Sequence, residues 1–368
     1  AVWKQVDESN PNPQLERIFD YYLRMIWQLS LAVPLPYLDE HLFDLKLHGS
    51  ADVFLLANTP KGSASTVALK RNSTLRDELE LKDPVDQAKK FDVFVDGLQL
   101  FRPIRFAGLP TTKHALKKPL IFIGKCREEF SKLPRELSGG PLSFEAYLFW
   151  TPKVAPTEHR GSLIRIHGSS GTLFDPTFMR YQVSETTRLG QITCEVFVSE
   201  GLDSALNIDR ESFNYAHPHS VFITKWLHSA LRQLATTQKK FAAEEREKAR
   251  TEAKGQVVSG IEKVVAEVWT EQSGDPGAAP PAVELSDADA RPAKAASEGA
   301  YVFSRDAVAP PRAGNQTAQA KSRQEVLDTK LKAIAQILAS FGLLDAVPRR
   351  KQEKLLRAIY EILEAPEN

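Results

Sequence analysis

Apolar residues recur at two different spacings along the chain, and each spacing predicts a different kind of element. Between residues 13 and 30 they fall on every third or fourth position behind a proline, which predicts an amphipathic helix ended by Pro34 and Pro36. Between residues 50 and 125, short β-rich runs alternate with Gly, Pro and Asn, which is typical of strands and turns. Residues 1–140 are therefore predicted to form a mixed α/β region.

Residues 141–240 have a more regular pattern. Three runs, at 144–150, 161–167 and 191–198, have the composition of strands, and a polar loop follows the third. A helix is predicted from about residue 219 to residue 238, because its apolar residues fall on one side. They are Val221, Trp226, Leu227, Ala230, Leu231 and Leu234. This order predicts an α/β (α+β) fold, built as a two-layer sandwich of a mixed sheet and helices.

The remainder of the chain divides by composition. Residues 241–270 are predicted to form a charged helix, because acidic and basic residues lie three or four positions apart. Residues 271–320 are rich in Ala, Pro, Gly, Ser and Asp, which predicts a flexible linker.

Residues 321–368 have two apolar stripes separated by Gly342 and Pro348, which predicts a helical hairpin. The first stripe is Leu327, Leu331, Ile334, Leu338 and Phe341, and the second is Leu355, Ile359 and Ile362. So small a hairpin needs a partner, which could be a second copy in a homodimer or, equally, the parent domain.

Charge and cysteine content narrow the class of protein. The 48 basic and 47 acidic residues nearly cancel, so no overall field draws the chain onto nucleic acid or an anionic membrane. Cys126 and Cys194 have no neighbours at metal-ligand spacing, and we expect buried thiols in a reducing compartment. Without a long apolar run or a secretion signal, the cytoplasm is the expected location, with no membrane partner.

The segment from residue 201 to residue 214 carries the most informative chemistry. It places Asn207, Asp209, Arg210 and Glu211 at a junction between a strand and a helix, where a side chain can project toward a neighbouring domain. An arginine there is suited to stabilising charge on a transferring phosphoryl group. The alternative is that Arg210 pairs with a nearby carboxylate and fixes the junction.

This segment resembles the middle domain of the HtpG-type heat-shock chaperones, which belong to the GHKL ATPase superfamily. In that domain a Val-Asp-Ser sequence and a short spacer precede Leu-Asn-(Ile/Val)-Ser-Arg-Glu-x-Leu-Gln. Here Leu202-Asp-Ser204 is similar to the first part, and Leu206-Asn-Ile-Asp-Arg-Glu-Ser-Phe-Asn214 to the second. The neighbouring pieces that agree in order are residues 144–150, 162–167 and 175–180. The resemblance covers residues 141–240 and implies a transducer domain with the ribosomal protein S5 domain 2-like fold.

The resemblance also implies roles for individual residues. Arg210 would reach the γ-phosphate of ATP held in a separate amino-terminal ATPase domain, with Asn207 beside the nucleotide and Asn214 on the same catalytic loop. Two residues depart from the family pattern, since Asp209 replaces a serine and Asn214 replaces a glutamine. The added carboxylate could hold Arg210 away from phosphate until nucleotide arrives, or it could mark a lost role.

The sequence has no nucleotide-binding motif of its own. The GHKL pocket needs an acidic helix with a paired asparagine, an Asp-x-Gly-x-Gly loop and a Gly-rich lid, and Val95-Asp-Gly97 lacks the second glycine. Neither Gly-x-x-x-x-Gly-Lys nor Gly-x-Gly-x-x-Gly occurs. We therefore expect an ATPase domain upstream of Ala1 to bind ATP and Mg²⁺, and we expect this chain alone not to hydrolyse ATP.

Three other motifs have ordinary structural explanations. Gly168-Ser-Ser-Gly171 lacks the Gly-x-Ser-x-Gly pattern of serine hydrolases. His217-Pro-His219 could bind a metal, but proline and the lack of a nearby acidic or thiolate partner favour a helix-entry turn. Arg180, Arg188 and Lys225 could form a basic patch or an ordinary solvated face.

Two functions remain open from the sequence. The first is an ATP-driven conformational machine of the GHKL type, which closes on a client protein or acts on DNA as in the mismatch-repair and gyrase branches. Balanced charge favours a protein client over nucleic acid. The second is a non-catalytic interaction scaffold that oligomerises through the hairpin.

Overall fold

The computed structural model describes residues 21–82, 92–182, 186–208, 212–275, 277–286, 300–310 and 318–365. The chain divides into two compact units, the first ending at Glu245 and the second beginning at Arg246. The fold is mixed α/β, as the sequence predicts. None of the helices in the described segments combines the length and the apolar character that a bilayer-spanning helix needs.

A six-stranded mixed sheet forms the centre of the first unit. Its order is β2-β1-β5-β6-β8-β7, with parallel pairing at β1–β5 and β7–β8 and antiparallel pairing elsewhere. The strands are β1 (Asp52–Leu55), β2 (Ser65–Thr66), β5 (Leu120–Glu128), β6 (Leu142–Trp150), β7 (Gly161–Ile166) and β8 (Ile192–Glu200). A separate hairpin pairs β3 (Phe94–Val95) with β4 (Leu98–Gln99).

Both faces of this sheet are buried. Because strand side chains alternate between the faces, neighbouring residues of one strand pack into different clusters. In β5, Leu120 and Phe122 belong to one apolar cluster, while Ile121 and Ile123 belong to another. Helix α1 (Tyr21–Ala32) contributes Ile26 to the second cluster. The predicted two-layer sandwich therefore gains a third layer, supplied by residues from the first part of the chain.

The remaining short helices of the first unit are α2 (Leu75–Leu79), α3 (Arg135–Ser138) and α4 (Thr186–Leu189). Helix α1 lies within the region predicted as helical, of which residues 13–20 lie outside the described residues. The sequence places a domain boundary at residue 140, but β5 and β6 pair along their whole length on either side of it. Residues on both sides of that boundary thus belong to one sheet.

The first part of helix α5 (Pro218–Ser273), as far as Ala242, covers the face of the sheet that carries Leu120 and Phe122. The predicted core residue Trp226 is buried, and its ring approaches Gly124 so closely that a Cβ there would lie 2.2 Å from the indole. The Gln233 amide donates to the Ala57 carbonyl oxygen at 2.9 Å and accepts from the Ala57 N–H at 3.0 Å. The helix is therefore bound to β5 by packing and to the end of β1 by hydrogen bonds.

The helix predicted over 219–238 and the charged helix predicted over 241–270 are one continuous helix in the structure. Residues between 218 and 245 pack on the sheet through an apolar face, whereas acidic and basic residues dominate the following turns. The composition changes from apolar to charged along one helix because only its first part packs on the sheet.

The second unit contains structure where the sequence predicts a linker. Strands β9 (Val283–Ser286) and β10 (Tyr301–Ser304) pair in parallel, and the short helix α6 (Arg305–Val308) follows. The linker prediction is wrong for these residues. Although large apolar residues are few in this part of the chain, those on the two strands and the short helix pack into the cluster of the second unit. Val283, Phe303 and Val308 belong to the apolar cluster of this unit. Residues 287–299 and 311–317 lie outside the described residues.

The predicted helical hairpin is present as α7 (Ala318–Ser340) and α8 (Arg349–Glu364). In α7, Leu327 and Leu331 are buried as predicted, but Phe341 beyond its end is exposed. In α8 the predicted stripe of Leu355, Ile359 and Ile362 is confirmed only in part, since Ile359 alone packs against the apolar cluster of this unit.

The face of α8 that packs inward carries Leu356 and Tyr360. Gln324 donates to the Tyr360 hydroxyl at 2.7 Å, which fixes that face. The predicted residues Leu355 and Ile362 are 41% and 74% exposed. Both faces have helical apolar spacing, so periodicity alone could not distinguish them.

Candidate functional site

The site forms at the end of β7, where the chain makes a tight turn. Ile166 and Ser169 pair across the turn, and His167 and Gly168 both adopt positive φ, at 49° and 78°. Arg102 donates from Nη2 to the Gly168 carbonyl oxygen at 2.5 Å. This turn, which we call the Gly168 turn, is therefore held in place by a buried guanidinium.

The motif segment begins where β8 ends, and a histidine fixes its start. The Leu202 N–H donates to Nδ1 of His219 at 3.0 Å, so Nε2 carries the ring proton and donates to the Gly140 carbonyl oxygen at 2.9 Å. Pro218 is the first residue of α5, which confirms the predicted helix-entry turn. His219 thus joins the motif segment to the start of the helix.

Beyond this point the motif segment closes on itself. Leu206 and Phe213 form an antiparallel bridge. Inside the bridge, the Asn207 N–H donates to the Ser212 carbonyl oxygen at 3.0 Å, and the Asn207 amide donates to the Ser212 hydroxyl at 2.8 Å. We call residues 206–213 the motif loop, and its two arms are tied together.

Asn214 closes the motif loop from the other side. Its N–H donates to the Ala205 carbonyl oxygen at 2.8 Å, and its side-chain oxygen accepts from the Ala216 N–H at 3.0 Å. Asp209, Arg210 and Glu211, on which the resemblance depends most, lie outside the described residues. The contact predicted for Arg210 therefore stays a prediction, while Asn207 and Asn214 shape the loop that carries it.

A cleft of about 680 Å³ lies between the Gly168 turn and the motif loop. Its apolar lining comes from Ile164, Ile166, Leu206, Ile208 and Phe213, and its polar lining from His167, Ser169, Ser170, Thr172, Asp203 and Asn207. His167 Nε2 lies 3.3 Å from an Asp203 carboxylate oxygen and links the two sides. At the mouth, the Ile208 side chain is fully exposed, at 105% relative accessibility.

The described lining of the cleft does not by itself suit ATP and Mg²⁺. Asp203 is the one carboxylate among those residues, and His167, which it contacts, is the one group that could be cationic. A triphosphate with its magnesium is usually held by several backbone donors, a lysine or arginine and one or two carboxylates. Across the described segments, no group of three His, Cys, Asp or Glu side chains could hold a metal ion.

A buried polar network supports the Gly168 turn from within the sheet. The Glu195 carboxylate accepts from Arg165 Nε at 2.5 Å, from the Tyr37 hydroxyl at 2.6 Å and from the Tyr147 hydroxyl at 2.5 Å. The Arg165 and Glu195 side chains are both 0% exposed. Burial alone would raise the pKa of Glu195, but Arg165, Arg102 and the two hydroxyls outweigh it and lower that pKa.

The same network ties three parts of the chain together. Arg165 Nη1 donates to the Leu31 carbonyl oxygen at 2.6 Å, and the guanidinium of Arg102 lies 5.3 Å from the centre of the Tyr37 ring. These contacts attach the end of α1 and the Gly168 turn to the central strands. Sequence reasoning missed this network, although a charged residue in the middle of an apolar strand run, as at Arg165 and Glu195, was the available signal.

A second cleft of about 660 Å³ has both acidic and basic side chains in its lining. Arg127 pairs with Glu200 at 2.6 Å and with Glu129 at 2.7 Å, and Glu145 accepts from the Lys82 N–H at 2.7 Å. Arg127 is therefore already engaged by carboxylates of the protein itself. We therefore place the candidate site at the motif loop.

Comparison of the chain with protein-family models, with curated proteins and with solved structures gave no match in any of the three.

The two cysteines, Cys126 and Cys194, are unpaired and buried, as the sequence predicts. Burial raises the pKa of the Cys126 thiol to about 11, which makes it a poor nucleophile at neutral pH. The candidate site therefore rests on the motif loop and its surroundings.

Proposed function

We propose that this chain is the transducer part of a GHKL-type ATP-driven conformational machine that acts in the cytoplasm. A separate ATPase domain holds ATP and Mg²⁺, and Arg210 of the motif loop contacts the γ-phosphate. The observation that carries the proposal is the fully exposed Ile208 on a loop whose two arms are tied together.

The exposure of Ile208 supports a docking role for the motif loop. Burying an isoleucine side chain stabilises a protein by about 1.5–3 kcal/mol, and the exposed Ile208 contributes none of this stabilisation. Contact with a second module would recover it. Because the bridge between Leu206 and Phe213 already fixes the arms of the loop, docking would order few further residues.

Asn207 and Asn214 have positioning roles in this proposal. Their side-chain hydrogen bonds to Ser212 and Ala216 hold the ends of the loop, so that a side chain between them is presented from a fixed base. Docking of the loop on the nucleotide-loaded domain would then close the machine on a protein client. Nearly balanced charge supports a protein client over nucleic acid.

The test is ATP turnover of the Arg210→Ala variant in the protein that includes the ATPase domain. Loss of one arginine that stabilises charge in the transition state lowers kcat by about 10²-fold or more, with ATP affinity changed much less. The Arg71→Ala variant removes an exposed arginine of the same unit, outside residues 141–240, and serves as the control. Unchanged turnover of Arg210→Ala, or an equal loss in both variants, would refute the role.

A second candidate function is an oligomeric scaffold, and the exposed stripe on α8 favours it. Leu355 and Ile362 lie seven residues apart and are both exposed, as are Phe341 and Leu343 after α7. Apolar side chains in that arrangement can pair with a second copy of the hairpin. Light scattering before and after deletion of residues 321–368 tests this function, since an unaltered mass excludes the hairpin as the dimer contact.

A further inference from the structure

We infer that a groove along α5 binds an acidic peptide segment of a partner protein that also carries apolar side chains. The groove has a volume of about 540 Å³ and lies between α5 and two loops of the first unit. It is lined by Asn58, Pro60, Tyr181, Phe222, Lys225, Trp226, His228, Ser229 and Arg232. None of these residues belongs to the motif loop.

The walls of the groove are mainly apolar and are rigidly held. Trp226 Nε1 donates to the Asn58 side-chain oxygen at 3.0 Å, which joins α5 to the loop after β1. His228 Nε2 donates to the Phe178 carbonyl oxygen at 3.0 Å, and its ring lies 5.0 Å from the Tyr181 ring. A groove held on both sides in this way can accept apolar side chains without rearrangement.

Among the described residues, the groove carries positive charge and no carboxylate. Lys225 is exposed and makes no ion pair with any described residue, while Arg232 donates to the Pro60 carbonyl oxygen, which is a neutral acceptor. No Asp or Glu stands anywhere in residues 212–243, and none lines the groove among the residues described. Carboxylates on a ligand would therefore meet two cations and no acid from the described lining of the groove.

The state of the aromatic rings favours a peptide over nucleic acid. Binding of single-stranded nucleic acid relies on exposed ring faces on which bases stack. Here Trp226 is only 5% exposed, and Tyr181 and Phe222 are partly buried. Rings that are largely covered leave little face for a base, but the part that lines the groove can contact apolar side chains, and the cations then select acidic neighbours in the same segment.

The inference is tested by fluorescence anisotropy without nucleotide, so its outcome is separate from that of the ATPase role. The probe is a fluorescein-labelled peptide of about 14 residues in which leucines alternate with glutamates and serines. The comparison probes are the same peptide with every glutamate replaced by lysine, and an oligothymidylate of about 20 nucleotides.

Two variants on α5 carry the same change of charge at different places. Lys225→Glu reverses a charge of the groove, whereas Lys240→Glu reverses an exposed charge outside it, which pairs with Glu244 at a distance of 3.9 Å. Ser229→Glu adds a carboxylate to the groove without removing a contact of the sheet. Thermal melting of each variant confirms that the fold is retained.

The wild type should bind the acidic peptide and not the lysine peptide. Lys225→Glu and Ser229→Glu should each weaken binding roughly tenfold, since an attraction becomes a repulsion, while Lys240→Glu should change it by less than about twofold. Equal binding of both peptides, equal effects of Lys225→Glu and Lys240→Glu, or tighter binding of the oligothymidylate through the same residues would overturn the inference.

Discussion

Replacement of Glu195 by glutamine tests how much the buried network stabilises the first unit. The variant keeps the shape of the side chain but removes the one carboxylate that Arg165 contacts at 2.5 Å. The NH₂ group of the new amide must then face either Arg165 or the hydroxyls of Tyr37 and Tyr147, where the carboxylate had an acceptor oxygen. The two buried guanidinium groups of Arg165 and Arg102 would then have no carboxylate from the described residues to replace that of Glu195.

The structure provides a matched comparison for the size of this effect. Glu200 lies on the same strand and pairs with Arg127 at 2.6 Å, nearly the distance of the buried pair, but those side chains are 44% and 55% exposed. Loss of one partner from a buried pair costs about 3–5 kcal/mol, because the other charge is left without water or a counter-ion. Loss of an exposed pair costs about 0–1 kcal/mol.

Urea denaturation followed by tryptophan fluorescence measures both variants, since Trp27, Trp150 and Trp226 all lie in the first unit. We expect Glu195→Gln to lower the free energy of unfolding by about 3–5 kcal/mol and Glu200→Gln by less than about 1 kcal/mol. Because the pKa of Glu195 is lowered, its stabilising effect is present above the carboxyl pKa of the unfolded chain and disappears as pH falls. Equal costs for the two variants would refute the reasoning.

Two further predictions concern pH and close packing. Burial lowers the pKa of His159 to about 3, so between the unfolded pKa of about 6.5 and pH 3 only the unfolded chain binds a proton at this residue. The free energy of unfolding should therefore fall by about 1.4 kcal/mol for each pH unit of acidification in that range. The His159→Gln variant should show a shallower slope in acid titrations of unfolding. Gly124→Ala should cost about 1–3 kcal/mol in urea denaturation, because its Cβ would meet Trp226, whereas Gly255→Ala, with no atom within 4 Å, should stabilise α5 by about 0.5–1 kcal/mol. A neutral Gly124→Ala variant would contradict the packing of α5 on β5.

The sequence predicts the individual elements of the first unit well, because their period is local. The runs at 144–150, 161–167 and 191–198 all fall on strands, and Trp226 is in the core as expected. The order of the strands is not local. Residues 52–55 pair with residues 120–123, and nothing in either run identifies the other as its partner.

The candidate site is predictable only in part for the same reason. The segment from Asn207 to Asn214 is visible as a motif, but the Gly168 turn that forms the other side of the cleft comes from a different strand. The pairing of Arg165 with Glu195 depends on the parallel register of β7 and β8. In the second unit, α8 has two runs of apolar residues, and the packing of Leu356 and Tyr360 in the cluster of that unit shows which one is buried.

The central claim is that the motif loop serves a nucleotide held in another module. Hydrogen exchange of residues 203–214, measured in the protein with its ATPase domain, tests this claim most directly. We predict slower exchange of those amides when a non-hydrolysable ATP analogue is added, because the loop then docks on the loaded domain. The same exchange with and without the analogue, where the ATPase domain itself becomes protected, would contradict the account.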